Sequence, residues 1–430
     1  MTTATHRGLT PVRAVLDNGA VVIAKQSQVT PAVTIHAAFG AGTVFDPPHQ
    51  PGLAHFVSRT IDRGTSARSA EAIAEELDRR GVSLSASVNR HVLSLVCTCL
   101  VEDLEDVLGI LADIVMHPAF PEDEVGTRRG EIVTLIRQDE DNPAVAATEG
   151  LLADLYGSSH GYGRRPRGTV ESVAAIDRAA LQHFHAARVG PASLSLVMVG
   201  DIEPVGAIEA ARAALGSWQA PVPPPAQLEA VPRASGRRVR VIPMMNKAQA
   251  DVAYGFVSIR RSDPGYYAYW LMNNILGQYS LGGRLGDSIR ERQGMAYYVF
   301  SSLDANVIPG PLTIRAGVSP ANVDRAVTSI DEELARLADV GPTDAEIAES
   351  KQYLVASMPR TLETNAGIAT FLQTEEFFGL GLDYDVRVPD LLMAVTRDEV
   401  HQAARRTLAP AHATVVVAGP YAGDARRDDE

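Results

Sequence analysis

Leu181-Gln-His-Phe-His-Ala-Ala-Arg-Val-Gly-Pro-Ala-Ser-Leu-Ser-Leu-Val-Met-Val-Gly200 and Val400-His-Gln-Ala-Ala-Arg-Arg-Thr-Leu-Ala-Pro-Ala-His-Ala-Thr-Val-Val-Val-Ala-Gly419 follow one pattern. In each, a helical stretch ends before a proline, Pro191 or Pro410, and a β-branched run follows and closes on glycine. The beginnings of the two halves agree as well. Val21-Val-Ile-Ala and Ala32-Val-Thr-Ile-His-Ala-Ala-Phe-Gly open the first, and Val239-Arg-Val-Ile and Ala250-Asp-Val-Ala-Tyr-Gly-Phe-Val open the second. Between them Gln219 to Pro232 holds five prolines, a stretch that continues neither a helix nor a central strand. This is the mark of an internal duplication. It predicts an N-terminal domain over 1–218, a proline-rich linker over 219–238 and a homologous C-terminal domain over 239–430. Strand runs alternating with amphipathic helices make the expected class α+β, two homologous units with helices packed to one face, clasped about the linker with a cleft between them.

Smaller signals fit that frame. Ser69 to Arg80 places Ile73 and Leu77 one turn apart before Gly81, which predicts a helix. Asp263-Pro264 predicts the start of a second, from Gly265 to Leu276, stopped by Gly277. Cys97 and Cys99 alternate along Val92–Leu100, without the spacing of a zinc or redox pair, and read as buried thiols. Composition is globular, with 46% apolar and 21% charged residues. Lys+Arg number 39 against 52 Asp+Glu, a net charge of −13 that argues against nucleic acid or an anionic membrane as partner. Met1 to Val12 lacks an apolar core, and no segment approaches about 18 uninterrupted apolar residues, so a cytoplasmic protein is expected.

Pro47-Pro-His-Gln-Pro-Gly-Leu-Ala-His-Phe-Val-Ser-Arg-Thr-Ile-Asp-Arg-Gly-Thr65 is a proline-rich turn leading into a short helix. With Gly40-Ala-Gly42 before it, this segment resembles the zinc-helix region of the insulinase/pitrilysin metallopeptidases, the group that includes mitochondrial processing peptidase. The resemblance continues through Arg137-Gln-Asp-Glu-Asp-Asn-Pro143, Ser159-His-Gly-Tyr-Gly-Arg-Arg-Pro-Arg-Gly-Thr169 and Ile289-Arg-Glu-Arg-Gln-Gly-Met-Ala-Tyr297. It implies two homologous domains, each a mainly antiparallel sheet with helices packed on it, forming half of a clam-shell, and an H-x-x-E-H helix, two histidines binding zinc and a glutamate serving as base. Here the five residues are His55-Phe-Val-Ser-Arg59. His55 matches the first ligand, Ser58 stands where the base belongs and Arg59 where the second ligand belongs. Aligned through Ile136-Arg137, the distal glutamate ligand falls on Leu135. A zinc site needs three protein ligands, and a guanidinium has no lone pair to give, so no metal is expected in this chain. His55 then reads as a polar residue on an inter-domain face. His183 and His185 fall on different faces of a helix, and His160 reads as a loop residue. No nucleophile elbow, phosphate loop or dinucleotide fingerprint occurs.

In the second half, Leu281-Gly-Gly-Arg-Leu-Gly-Asp-Ser-Ile-Arg-Glu-Arg-Gln-Gly-Met-Ala-Tyr-Tyr-Val-Phe300 reads as a Gly-rich turn, a short helix stopped by Gly294 and a strand from about Met295. By spacing alone Arg290 is a solvated helix residue or a donor, and Tyr297 a strand residue or an exposed hydroxyl. The resemblance implies that they are the Arg/Tyr pair offered to substrate, Arg to a carbonyl and Tyr to a developing oxyanion. Arg284 reads as a loop cation or a second peptide contact. Ser83 to Asn89 reads as an edge strand able to pair with an extended peptide, with Ser85 and Asn89 at its rim. Some two-chain members divide the work between a zinc-bearing chain and a partner that supplies Arg and Tyr. The resemblance therefore implies a non-catalytic, substrate-binding subunit of a heterodimeric endopeptidase acting on small or unfolded peptides. Such a subunit is inactive alone and meets zinc only in an H-x-x-E-H partner. The alternative is a scaffold of the core-protein kind with no peptidase role.

Overall fold

The computed structural model describes residues 8–224, 228, 230–231, 236–278 and 282–422. Leu281 of the Gly-rich turn and part of the proline-rich linker lie outside these residues. Strands β1 (Val12–Val15), β2 (Val21–Gln26), β3 (Ala32–Phe39), β4 (Ser85–Val88), β5 (Leu93–Leu100) and β6 (Leu194–Gly200) form one sheet in the order β1-β2-β6-β3-β5-β4. A second sheet holds β7 (Arg238–Pro243), β8 (Ala250–Val257), β9 (Ala296–Leu303), β10 (Pro311–Val318) and β11 (Thr414–Gly419), in the order β7-β11-β8-β10-β9. Apart from β1 the two orders coincide. One pair in each is parallel, β2 with β6 and β7 with β11, and the others, β1 with β2 included, are antiparallel. The repeated segments of the sequence are β6 and β11 with the helices that precede them, so the chain is α+β with one topology used twice.

The central strands dictate what must cover them. β3 is buried at all but its first residue and β8 at all but its last, and a strand with no polar face needs cover on both sides. On one side of the first sheet Val22, Ala24 and Ile35 meet Phe56 of α1 (Leu53–Thr60), Ile73 of α2 (Ala70–Asp78), Leu108 of α3 (Leu104–Met116) and Ile132 of α4 (Glu122–Glu140). On the other side Ile23, Val197 and Val199 pack against Ile368, Ala369 and Leu372. Those three belong to the helix Asn365–Phe378, from the far half of the chain. Polar contacts fix it there: Asn365 Nδ2 donates to the Ala32 carbonyl at 3.1 Å, and Arg13 forks onto the Glu376 carboxylate at 2.8 and 2.9 Å.

The reverse loan occurs in the second sheet. Helix α5 (Pro143–Tyr156), from the first half, lies on β8 and β11. Its Gly150 lets it pack closely, since a Cβ there would press on Val416 Cγ1 at 3.1 Å and Ile242 Cδ1 at 3.2 Å and would displace the Arg240 guanidinium. Asp154 pairs with Arg240 at 2.9 Å, and the Tyr156 hydroxyl donates to the Pro309 carbonyl at 3.0 Å. The chain accordingly forms two compact units, one of Met1–Ile136, Arg165–Gln227 and Met358–Arg387, the other of Arg137–Arg164, Leu228–Ser357 and Val388–Glu430. A single division at 219–238 is corrected by this exchange. Periodicity finds an apolar face but does not name the sheet that receives it.

Most elements lie where the sequence places them. Ser69 caps α2, accepting from Ala72 N at 3.2 Å. The helix starting at Tyr266 does not stop at Gly277: it runs to Asn273 and continues as a π-helix, Asn274–Gln278. Cys97 and Cys99 are buried, and that burial pushes their thiols up to about 12 and about 11. Among the described residues no helix is long and apolar enough to cross a membrane.

The borrowed helix carries a buried acid, Glu375, which is 1% exposed. Burial, and then the charge of Asp385, push its carboxyl up to about 8. The folded chain thus keeps a proton that the unfolded chain releases near 4.5, and stability contributed below that pH is lost as pH rises toward 8. Glu375→Gln mimics the neutral acid. The gain in Tm of this variant over the parent should widen between pH 5 and pH 9, by roughly 2–4 °C for each kcal/mol recovered. A Tm difference that does not change with pH would count against the protonated acid.

Candidate functional site

Two places carry the residues of interest, one in each unit. In the first, Asp46 shapes the proline-rich turn by accepting from Gly52 N and Ala54 N, both at 2.8 Å, and so capping α1. Leu53, Ala54, Phe56 and Val57 anchor α1 in the core. His55 is half-buried beside them. The Ser58 hydroxyl is buried and donates back to the His55 carbonyl at 2.7 Å.

Arg59 reaches across to α4, where its Nη2 meets Glu131 Oε2 at 3.3 Å. Glu131 also receives Arg128 Nη1 at 2.5 Å, and Arg128 Nη2 meets Glu124 at 3.3 Å. Partial burial opposes ionisation of Glu131, yet Arg128 and then Arg59 hold its carboxyl below the ordinary value. Nearby Asp62 is raised by burial, with Arg63, Arg59 and Arg128 working against the shift. Leu135 stands one turn beyond Glu131 on α4, half-buried. The set His55, Ser58, Arg59 and Leu135 therefore does not fit zinc. It offers one imidazole, a hydroxyl turned onto its own helix, an ion-paired guanidinium and an aliphatic side chain. Among the described residues no group of three or more His, Cys, Asp or Glu is placed to hold a metal. Glu131 carries no recognisable motif. The signal that would have found it is its position, one helical turn before Leu135 and opposite a cation.

In the second unit a helical stretch from Arg284 widens into a π-helix over Gly286–Arg292, a form that recurs at functional sites. Gly294, at φ 62°, ends it. Arg290 is exposed on this segment, its Nε 3.7 Å from Glu291 Oε1. It borders a cavity of about 370 Å³ whose other walls include Gln278, Tyr298, Phe300 and Ser302. Tyr297, on β9, is 71% exposed. β9 is one of the two edge strands of its sheet.

Arg284 needs correction. It is 9% exposed and forks onto Glu346 at 2.7 and 2.9 Å, with a third bond to the Gly341 carbonyl at 3.0 Å. A guanidinium committed in this way is an internal clamp and not a peptide contact. In the first unit β4 is indeed an edge strand, and Ser85 on it is exposed. Asn89 lies past its end. There its side-chain oxygen accepts from His91 N and Val92 N, both at 2.8 Å, closing a turn, so that oxygen is already engaged.

Comparison with known proteins bears on both places. Residues 21–163 match a family model described as insulinase (peptidase family M16), and residues 175–354 match one described as the peptidase M16 inactive domain. An uncharacterized zinc protease of Mycobacterium leprae is 28% identical over 95% of this chain and 92% of its own length. A probable beta subunit of the mitochondrial-processing peptidase of Arabidopsis thaliana is 23% identical over 92% of this chain and 74% of its own. Among solved structures, a peptidase M16 inactive domain from Pseudomonas fluorescens superposes with a TM-score of 0.88 at 25% identity, covering 96% of this chain and 98% of that one. A protease from Helicobacter pylori gives 0.85 at 17% identity, covering 95% and 99%, and speaks for the fold alone.

The Arg284–Glu346 clamp has a measurable signature. Burial opposes ionisation of Glu346, but the Arg284 bonds and the Thr343 amide hold its carboxyl at about 2. A depressed acid contributes stability above about 4.5, the unfolded value, and loses it as pH falls toward 2. Glu346→Gln should therefore destabilise the chain at pH 7 by on the order of 2–3 kcal/mol, with the gap to the parent closing near pH 2. Urea titration at the two pH values decides it, and an equal gap at both would refute the ion pair's contribution.

Proposed function

The chain belongs to the insulinase family of M16 peptidases, and from that footing we propose that it is a non-catalytic, substrate-binding subunit of a zinc endopeptidase that cleaves small or unfolded peptides. The single observation that carries the reading is the contrast between the two places. The α1–α4 pair holds an Arg59–Glu131 ion pair where the family's hydrolytic set would lie, while the second unit presents Arg290 and Tyr297 to solvent. Arg290 supplies a fork of donors to a peptide carbonyl, and the Tyr297 hydroxyl a donor to an oxygen gaining charge. The exposed edge β4 gives an extended peptide a strand to pair with. Metal chemistry then comes from a homologous partner bearing H-x-x-E-H. That a relative is named as the subunit of a processing peptidase supports a two-chain arrangement.

The test is to assay peptidase activity and zinc content of this chain alone and mixed with an H-x-x-E-H homologue from the same genome. Activity is expected only in the mixture, with zinc tracking the partner. Tyr297→Phe should lower turnover of the mixture by roughly 10²-fold or more. Stoichiometric zinc with proteolysis by the isolated chain would overturn the proposal. A mixture indifferent to both Arg290→Ala and Tyr297→Phe would leave a scaffold as the better reading.

A further inference from the structure

We propose that Tyr298 and Asp251 are positioning residues that hold Tyr297 outward for peptide contact, acting through a β-bulge closed over Gly317. This rests on the substrate-contact reading of Tyr297. The register shows the bulge directly. Gly317 pairs with Tyr298 and Val318 pairs with Ala296, so one step along β10 spans two along β9 and Tyr297 is the extra residue. A bulge leaves its extra residue unpaired, bends the strand and re-aims a side chain.

What fixes the bulge is a row across three strands. Asp251 on β8 pairs with Gly317 on β10, which pairs with Tyr298 on β9. Adjacent strands lie about 4.8 Å apart, so the Tyr298 phenol must cross the whole width of β10 to reach Asp251. It does so, its hydroxyl donating to Asp251 Oδ1. The ring crosses at Gly317: a Cβ there would lie 2.6 Å from Tyr298 Cε1 and 2.4 Å from Gln249 Nε2. Only a residue without a side chain lets the ring lie down. Asp251 is 4% exposed, and its other oxygen accepts from Gln249 Nε2 at 3.2 Å. Burial, then the bond to Asp251, push the Tyr298 phenol up to about 12, so it remains a donor throughout the neutral range. With the ring pinned to β8, the backbone at 298 has little freedom, and the surplus residue before it is the one displaced toward solvent.

Tyr298→Phe removes the hydroxyl and leaves the ring, while Gly317→Ala forces the ring off β10. Both are to be made in the full chain with 3-fluorotyrosine at position 297, and compared for Tm, for the fluorine resonance of residue 297 and for affinity for a fluorescein-labelled, net-cationic, unstructured peptide. The expected result is a shifted or broadened resonance in both variants and affinity weakened roughly tenfold. Tyr298→Phe should add nothing further in a Tyr297→Phe background. A lowered Tm with an unchanged resonance would overturn the proposal, reducing the row to a staple of the sheet. So would additive losses of affinity. Should Tyr297→Phe and Tyr297→Ala both leave affinity untouched, the substrate-contact reading fails, while the fluorine resonance still reports whether Tyr298 and Gly317 set residue 297.

Discussion

A sheet whose central strand is apolar on both faces has to be covered twice, and that requirement governs this chain. β3 and β8 carry almost no exposed residue. Each half of the sequence provides helices for one face of its own sheet. The second face is covered by a loan, α5 to one unit and Asn365–Phe378 to the other. Leu372 and Ile368 gain nothing unless Val197 and Val199 are there to receive them, so the halves must fold with reference to each other. The topology of each sheet follows from its own half of the sequence, but its completion does not. Duplicated chains usually invite description as two beads on a string, and here the description fails at the second layer.

Much of this could be read from residues. The repeat ending at Gly200 and Gly419 located β6 and β11, and alternation located β5, because both are local patterns in which side chain and backbone agree. Ser83 to Asn89 read as an edge strand, and β4 within it lies at the end of its sheet. What stayed hidden is non-local. Nothing in Asn365–Phe378 names its host sheet, and nothing around Glu346 announces that it will seize Arg284 from 62 positions away. The reading of Arg284 failed for that reason: a cation following glycines looks like a loop residue until its carboxylate is located. The bulge at Tyr297 was equally invisible, since it depends on a glycine in the neighbouring strand.

The residues that the α1–α4 region holds fit one another. A carboxylate at position 135 with no metal to meet would be a half-buried charge without a partner, which is costly. Leucine removes that cost. Arg59, in turn, is long enough to reach Glu131 one turn earlier, and Arg128 shares the same carboxylate. The helices are thus tied by charges that need neither a particular coordination geometry nor a deprotonated imidazole. The ion pairs are partly exposed, at 39% for both Arg59 and Glu131, so each adds little by itself to stability. Their effect is to tie α1 to α4 through one shared carboxylate.

The second unit makes the opposite choice, and stability does not account for it. Arg284 and Glu346 hold the root of the Arg290 segment from beneath, and the Asp251–Gly317–Tyr298 row holds the root of Tyr297 from within its sheet. Neither device requires Arg290 or Tyr297 to be what they are. An aromatic ring stabilises a fold by burying its surface, and Tyr297 buries little of its own. An alanine or serine at the bulge would satisfy the backbone equally well. Two largely internal supports beneath two exposed donors fit the proposed peptide contact, because positioning a side chain for a ligand costs conformational freedom that packing alone would not demand. Under the proposed function the exposed pair would meet the peptide, with the Arg284–Glu346 clamp and the Asp251–Gly317–Tyr298 row as its mounting.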